Sequence, residues 1–255
     1  MSIEYKNKLN QLLQKSNSGG LYFSSWLKEE GYSDQLIKKY RDSGWFDSLS
    51  KGVIFRKGEK LNSFAVLNSY NMQMKKNFIV AAHSALELAG YNHFVPMGKP
   101  VLMVTHSKAE KLPEWLKQER FDRTIKTFTT ETFSKKFSSP FNEEFKNLQV
   151  SVPEQAFLEC LLLAPHQYSY IDLYYILEQL TSLRPDILNQ LLENTGNIKV
   201  KRTFLYMAEK ANHAWLNELT SDKLSLGTSK LQLAQQGVYV PKFKITIPKE
   251  LFEYE

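Results

Sequence analysis

The stretch from Gly31 to Gly44 constrains the fold most, because it contains one short helix with both a start and a stop signal. Ser33 is suited to cap the helix by accepting a backbone N–H, and Gly44 is suited to the left-handed conformation that ends it. At about 100° of rotation per residue, one side of this helix is apolar: Leu36, Ile37 and Tyr40. The other side is polar: Gln35, Lys38, Lys39 and Asp42, with Arg41 on the flank. The sequence therefore predicts a helix over residues 34–43 with one buried face and one basic face.

Helical signals precede this stretch, and a hairpin signal follows it. Apolar residues recur at helical spacing near the start of the chain: Tyr5, Leu9, Leu12 and Leu13. Serines at 24 and 25 then open a short second helix that ends at Gly31. Residues 45–56 form two short apolar runs around a polar turn with Gly52, as in a β-hairpin. Three helices followed by a hairpin predict a winged helix-turn-helix, which we place in residues 1–60.

The winged helix-turn-helix fold allows a prediction of the side chains that contact DNA. The third helix enters the major groove, and the hairpin wing touches the phosphate backbone. We therefore predict groove contacts from the helix by Gln35, Lys38, Lys39 and Arg41. We predict backbone contacts from the wing by Lys51, Arg56 and Lys57. The alternative is a small helical subdomain whose basic face is only solvated, and the hairpin argues against it.

The distribution of charge supports a polyanionic partner for the first part of the chain. The formal net charge of the 255 residues is +6. Residues 1–60 carry 11 Lys and Arg against 7 Asp and Glu, whereas the remaining residues carry 22 against 20. Most of the positive excess thus belongs to the predicted DNA-binding domain. There is no apolar run of about 18 residues and no signal-peptide pattern, so we expect a cytoplasmic protein without a membrane partner.

Residues 61–255 combine helix and strand signals and predict a larger mixed α/β domain with a helix-rich C-terminal part. The whole chain is then of the mixed α+β class. Strands are predicted at 78–83, 101–105, 124–133, 237–240 and 243–247. Helices are predicted at 62–74, 84–89 and 114–118, after a capping-box pattern at 151–154, after Ser169, after Pro185 and over 198–219. We expect the polar joint at 58–60 to separate the two domains.

No catalytic signature occurs in the sequence, so we predict a protein that is not an enzyme and needs no cofactor. His83 and Glu87, with His93 and His106 nearby, could hold a metal, but no third ligand has diagnostic spacing. We therefore predict a structural role for His83, no metal site, and core packing for the single cysteine, Cys160.

Two further clusters of charged residues carry competing interpretations. Asp186, Glu193 and Lys199 superficially resemble a nuclease site, but a predicted helix carries the two carboxylates, where a nuclease core would place them on strands. Lys199 and Arg202 are predicted to face away from the apolar stripe of their helix, with Lys201 at its edge. We take these three cations as candidates for functional contacts with a partner, and a plain solvated face is the alternative.

Short stretches along nearly the whole chain occur in an order typical of one known family. They are residues 44–46, 52–55, 82–94, 112–116, 151–156, 183–185, 191–192, 199–205, 226–227 and 239–248. In this set the chain resembles the AbiEi antitoxins of bacterial abortive-infection toxin–antitoxin systems. The ordered set is far more specific than any single stretch.

The resemblance implies an antitoxin for phage defence that is also a transcriptional autorepressor. Its winged helix would bind inverted repeats in its own promoter DNA. Its C-terminal domain, residues 61–255, would antagonise a nucleotidyltransferase-like toxin, and a stable complex between the two is not required. The alternatives are a repressor whose larger domain senses a small molecule, and a nuclease that carries a DNA-binding module.

Overall fold

The computed structural model describes residues 3–91, 98–220 and 224–254, with only the backbone described for residues 3–7. The chain folds into two compact units. The first unit comprises residues 1–79, 96–128 and 140–149, and the second comprises residues 80–95, 129–139 and 150–255. The chain therefore passes between the units several times, so each unit is built from separate stretches of sequence.

The N-terminal part of the first unit has the three predicted helices and the predicted hairpin. Its helices are α1 (Ile3–Gln14), α2 (Ser24–Glu29) and α3 (Asp34–Asp42). Its strands are β1 (Tyr22–Phe23), β2 (Phe46–Ser50) and β3 (Val53–Arg56), in the order β1-β3-β2. The sequence did not predict β1, because two residues are too short for an alternating pattern. The antiparallel pairing of Tyr22 with Ile54 and Phe23 with Val53 adds it to the hairpin.

One apolar cluster holds these helices and strands together. Each of the three helices and three strands contributes at least one buried member, and Tyr32 comes from the turn between α2 and α3: Leu9, Leu12, Tyr22, Leu27, Tyr32, Leu36, Ile37, Tyr40, Phe46 and Ile54. Tyr22 and Phe46 meet edge to face, with ring centroids 5.2 Å apart. This core fixes α3 against the hairpin and leaves the opposite side of α3 in solvent.

The rest of the first unit begins with a long buried helix. It contains α4 (Ser63–Met74), β4 (Ile79–Val80), β5 (Val101–His106), a 3₁₀ turn (Glu114–Lys117) and β6 (Thr124–Thr129), with β5 between β4 and β6. Asn62 caps α4 by accepting the N–H groups of Phe64 and Ala65. The strand predicted at 101–105 is confirmed and extends to His106, whereas the strand predicted at 124–133 ends at residue 129.

Helix α4 is hydrogen-bonded to the winged helix. Gln73 donates from Nε2 to the carbonyl of Leu21 at 2.8 Å, and its Oε1 accepts the N–H of Phe23 at 2.9 Å. Ser69 Oγ accepts the N–H of Leu21 at 3.2 Å. One compact unit thus contains residues on both sides of position 60. The division into domains at residues 1–60 and 61–255 stays a prediction.

The second unit is richer in helices. They are α5 (Ala82–Leu88), α6 (Pro153–Leu163), α7 (Tyr170–Gln179), α8 (Pro185–Asn194), α9 (Ile198–Ala211), a 3₁₀ turn (Ala214–Glu218) and α10 (Lys249–Glu253). Short strands β7 (Ser138–Pro140) and β8 (Gln149–Ser151) are neighbours, and β9 (Leu231–Gln232), β10 (Gly237–Val240) and β11 (Ile245–Pro248) form a sheet in the order β10-β11-β9. Ser169 caps α7 and Pro185 opens α8, as predicted.

Three further local predictions were wrong, each for an identifiable reason. The strand predicted at 78–83 is limited to Ile79–Val80, because Ala82 adopts φ 49° and starts α5. The helix predicted over 198–219 ends at Ala211, because Asn212 is left-handed with φ 52°. The capping box at 151–154 does not form, since Ser151 Oγ donates instead to Glu159, 3.2 Å away.

In the part of the chain that the structure describes, every helix is too short or too polar to cross a lipid bilayer.

Candidate DNA-binding surface

Helix α3 starts and stops where the local sequence directs it. Ser33 Oγ accepts the N–H of Leu36 at 3.3 Å, which satisfies one of the free donors of the first turn. Gly44 follows the helix with φ 78°, a conformation that side chains with a Cβ rarely adopt. The helix ends at Asp42, one residue before the predicted end. Its start and its buried face are confirmed, because Leu36, Ile37 and Tyr40 are all buried.

The outer face of α3 exposes all four residues predicted to contact the groove: Gln35, Lys38, Lys39 and Arg41. Asp34 in the first turn pairs with Lys28, with 2.9 Å between Nζ and Oδ2. Asp42 is the other acidic residue of this helix. The outer face of α3 therefore carries three cations and one carboxylate outside this ion pair. Its net charge is positive, as contact with a phosphate backbone requires.

Helix and wing share one groove of about 470 Å³. Arg41 spans it, because its Nη1 lies 3.4 Å from Ser48 Oγ on β2. The residues that line the groove come from both elements and the start of α2: Ser24, Asp34, Ile37, Lys38, Arg41, Ser48, Ser50, Lys51, Gly52 and Ile54. Predicted contact residues from the helix and from the wing thus meet at one surface.

The wing is a tight turn tied back to the helices. Gly52 has φ 78° in the turn between β2 and β3, and its carbonyl accepts the N–H of Ser24 at 2.8 Å. Lys51 and Lys57 are exposed at the two ends of β3. Arg56 is also exposed, but its Nη1 lies 3.2 Å from a carboxylate oxygen of Glu59. We therefore expect Arg56 to contribute less to phosphate binding than the two lysines.

The charge of the chain is concentrated in the unit that contains this surface. The first unit carries 21 Lys and Arg against 13 Asp and Glu, which is +8. The second carries 12 against 14, which is −2. The positive excess is therefore larger than residues 1–60 alone suggested, and it extends into residues 96–128.

The basic cluster predicted on α9 is not the exposed surface that the helical stripe indicated. Arg202 is only 1% exposed, and Lys201 is 4% exposed. The guanidinium of Arg202 donates to four backbone carbonyls at 2.6–3.2 Å: Leu226, Gly227, Ser229 and Lys244. The prediction failed because it assumed solvent beside the apolar stripe, whereas α9 is buried around its circumference from Val200 to Ala208.

The two lysines of this cluster also contact carbonyl groups. Lys199 Nζ lies 2.6 Å from the carbonyl of Ala164 and 3.2 Å from that of Leu162, at the C-terminal end of α6. Lys201 Nζ lies 3.4 Å from the carbonyl of Ser225. Burial lowers the pKa of both lysines below the ordinary range. The cluster therefore has a packing role, and its part in antitoxin function stays a prediction.

His83 lies at the start of α5 beside a partly buried tyrosine. Its Nδ1 lies 2.7 Å from Tyr168 Oη, and the two rings meet edge to face. In residues 3–91, 98–220 and 224–254, no three His, Cys, Asp or Glu side chains come together as a metal site would require. His93, named with the possible ligands, lies outside the described residues. Cys160 is buried, as predicted for core packing.

A buried carboxylic acid in α6 was missed by the sequence analysis. Glu159 is 1% exposed and accepts hydrogen bonds from the N–H of Ala82, Gln155 Nε2 and Ser151 Oγ, at 2.9, 3.0 and 3.2 Å. Burial raises the pKa of Glu159 to about 7, against the opposing effect of these bonds. The available signal was a glutamate next to Cys160, between the apolar residues Phe157, Leu158 and Leu161 of the same helix.

A second buried glutamate pairs with an arginine. Glu154 accepts two hydrogen bonds from the Arg184 guanidinium and one from the Arg184 N–H, at 2.8–2.9 Å. Burial alone would raise the pKa of Glu154, but these bonds outweigh it, and the pKa lies below its ordinary value. This pair ties the start of α6 to the start of α8.

Comparisons with known proteins agree with this architecture. The crystal structure of the RV2827C protein from Mycobacterium tuberculosis is similar, with a TM-score of 0.63 and 15% sequence identity over 89% of this chain and 86% of that one. At this identity the likeness shows the fold alone. A comparison with the curated proteins finds no match.

Two family models together match almost the entire sequence. Residues 5–97 match "Transcriptional regulator, AbiEi antitoxin N-terminal domain", and residues 99–248 match "Transcriptional regulator, AbiEi antitoxin, Type IV TA system". The resemblance noted from the residues is thereby confirmed, and the chain belongs to the AbiEi family of transcriptional regulators and antitoxins of type IV toxin–antitoxin systems.

Proposed function

We propose that this protein represses its own toxin–antitoxin operon by binding inverted repeats in the promoter. It also antagonises a nucleotidyltransferase-like toxin through residues 61–255, and a stable complex between the two is not required. Neither role requires catalysis or a cofactor. The observation that supports DNA binding most strongly is the shared groove, where exposed cations of α3 and the wing meet.

The chemistry of this surface suits double-stranded DNA. Side chains on an exposed helix can reach base edges in the major groove, and lysines on a wing can neutralise phosphates beside it. We assign the groove to Gln35, Lys38, Lys39 and Arg41 and the backbone contacts to Lys51, Arg56 and Lys57. Each phosphate contact that is lost should flatten the dependence of log affinity on log salt by about one unit.

The DNA-binding assignment can be tested by changing α3 alone. Lys38→Ala/Lys39→Ala should weaken binding to the protein's own promoter by about 1–3 kcal/mol while the fold stays intact. Affinity would be measured by fluorescence anisotropy at several salt concentrations, with circular dichroism to check the fold. The matched control is Lys135→Ala/Lys136→Ala, an adjacent exposed pair in the second unit. Unchanged affinity in the α3 variant would show that this helix does not recognise the promoter DNA.

Separation of the two activities is best tested in the full chain. Lys38→Glu/Lys39→Glu should abolish promoter repression and still rescue cells that express the cognate toxin. A promoter-reporter assay and a growth assay on the same strains give the two results. Loss of rescue in a stable, folded variant would show that antitoxin activity needs the DNA-binding surface, and would contradict the proposal.

The boundary at residue 60 requires a fragment that lacks residues 1–60. This deletion removes the partners of Gln73 at Leu21 and Phe23, so the fragment must first be shown to fold. If it is soluble and folded, we expect it to rescue cells but not to occupy the promoter. Charge reversal of Lys199, Lys201 and Arg202 places carboxylates at largely buried positions, so it tests the antitoxin candidates in the same growth assay only where the variant is shown to be folded.

A further inference from the structure

The wing has a second neighbour in the first unit, on the face that points away from α3. Successive residues of a strand face opposite sides. Ile54 lines the groove shared with α3, and the next residue, Phe55, lines a different groove together with Arg120 and Phe121. Gln118 Nε2 donates to the carbonyl of Leu49 in β2 at 3.0 Å. Residues 118–121 therefore run along the far side of the wing.

The same segment is tied to the chain where it leaves the wing. Leu61 forms a parallel bridge with Phe121, and the carbonyl of Leu61 accepts the N–H of Asp122 at 3.1 Å. The groove between the segment and the wing has a volume of about 420 Å³. Its lining combines apolar and charged residues: Phe55, Glu59, Lys60, Leu61, Arg120, Phe121 and Asp122.

The two acidic residues that line this groove accept hydrogen bonds from other residues of the protein. Glu59 accepts from Arg56 at 3.2 Å with Oε1 and from the N–H of Gly19 at 2.9 Å with Oε2. Asp122 Oδ1 accepts both the N–H and the hydroxyl of Ser63, at 2.7 and 2.6 Å. The ion pair with Arg56 compensates the charge of Glu59, whereas Ser63 is a neutral donor and leaves Asp122 with its negative charge.

Three exposed cations lie along this side of the wing. Lys60 and Arg120 line the groove, and Lys99 reaches the same segment because its Nζ lies 2.7 Å from the carbonyl of Glu119. The exposed acids beside them are Glu119 and Asp122. We define Lys60, Lys99 and Arg120 as the flanking basic cluster.

We propose that the flanking basic cluster binds the phosphates of promoter DNA beyond the wing and so extends the interface formed by α3 and the wing. This inference rests on the proposed function. A duplex that crosses the helix and the wing continues past the wing, with one phosphate every 3.4 Å or so along each strand. The cluster is carried by irregular chain rather than by a helix or hairpin that could enter a groove. It should therefore add affinity without reading sequence.

Salt-dependent binding of the full-length protein to its own promoter tests the cluster. Arg120→Ala should flatten the salt slope by about one unit and Lys60→Ala/Arg120→Ala by about two. Affinity for promoter and for scrambled DNA should fall by the same factor, and hydroxyl-radical footprints should lose protection at their outer edges. A changed ratio between promoter and scrambled DNA would overturn the assignment to the backbone.

Lys111→Ala is the matched control. Lys111 is exposed and follows Glu110, which pairs with Lys76 just beyond the C-terminal end of α4. The flanking basic cluster lies near the N-terminal end of α4, and this helix of 12 residues is about 18 Å long. The control should keep the wild-type slope. An equal loss in Lys111→Ala would show a general effect of charge and would overturn the proposal.

A gain of affinity gives an independent result that does not depend on removing a cation. Glu119→Gln removes the exposed acid of the segment and should tighten DNA binding several-fold at low salt; unchanged affinity would count against the cluster. The failure of the two proposals is distinguishable. Absence of promoter binding by the wild-type protein would refute the proposed function. Normal binding with an unchanged slope in Arg120→Ala would refute only the flanking basic cluster.

Discussion

Helices α3 and α9 each carry three cations within four residues, yet the structure uses the two sets in opposite ways. Lys38, Lys39 and Arg41 are exposed on α3. On α9, Arg202 is fully buried against carbonyl oxygens, and its two lysine neighbours also reach carbonyl groups. The same residue types at similar spacing therefore form a surface for a partner in one helix and an internal brace in the other.

The difference comes from what surrounds each helix. Three residues of α3 are buried, and they lie on one side, so that the other side meets solvent. In α9 the nine consecutive residues from Val200 to Ala208 are buried, so that even the cations must find partners inside the protein. A basic cluster indicates a binding surface only when the helix that carries it is amphipathic in the folded protein.

Of the variants that test the difference between α3 and α9, a change at Arg202 is expected to have the largest effect on stability. Arg202→Ala should lower the free energy of unfolding by about 3 kcal/mol, because it removes a fully buried side chain together with its hydrogen bonds to four carbonyls. Urea denaturation would measure the loss, with Lys38→Ala as the exposed counterpart that changes stability by less than about 0.5 kcal/mol. A variant as stable as wild type that fails to rescue cells would instead make Arg202 a functional contact.

The buried carboxyl group of Glu159 should be visible in the pH dependence of stability. The pKa of Glu159 is raised to about 7, so the folded protein holds this proton while the unfolded chain releases it above its ordinary pKa of about 4.5. Stability should therefore fall as pH rises from about 4.5 to 7, by a total of about 3 kcal/mol, and then level off.

Glu159→Gln should remove this fall, because glutamine does not titrate. Thermal unfolding at a series of pH values would compare the variant with wild type and with Asp42→Asn, which removes a carboxylate from the exposed face of α3. A fall of the same size in Glu159→Gln would assign the titration to another group.

The smallest effect is expected at Lys201. Its ammonium makes one long contact, 3.4 Å from the carbonyl of Ser225, and methionine can fill the space of its aliphatic stem. Lys201→Met should cost less than about 1 kcal/mol in urea denaturation. A loss as large as that of Arg202→Ala would mean that the two cations act as one network rather than as separate contacts.

Local signals made α3 predictable. The cap at Ser33, the turn at Gly44 and the spacing of three apolar residues act within 12 residues of one another, so the sequence alone specifies the helix and its exposed face. The family was predictable as well, because its stretches extend along the whole chain.

Distant partners were not predictable. The carbonyls that surround Arg202 lie 24–42 residues further along the chain, and no spacing rule connects them to it. The same holds for Ala82 and Glu159, which are 77 residues apart. The flanking basic cluster joins residues 60, 99 and 120, so only the folded chain brings it together.

The side chain of Gln73 has a consequence for recombination between related genes. Its amide bonds the main chain of Leu21 and Phe23, and Ser69 adds a third bond to Leu21. A crossover just after residue 60 would pair the winged helix of one parent with the α4 of another, and these contacts would have to match by chance. A crossover after residue 79 would transfer both partners together, so chimeras that exchange operator specificity should tolerate the later junction better.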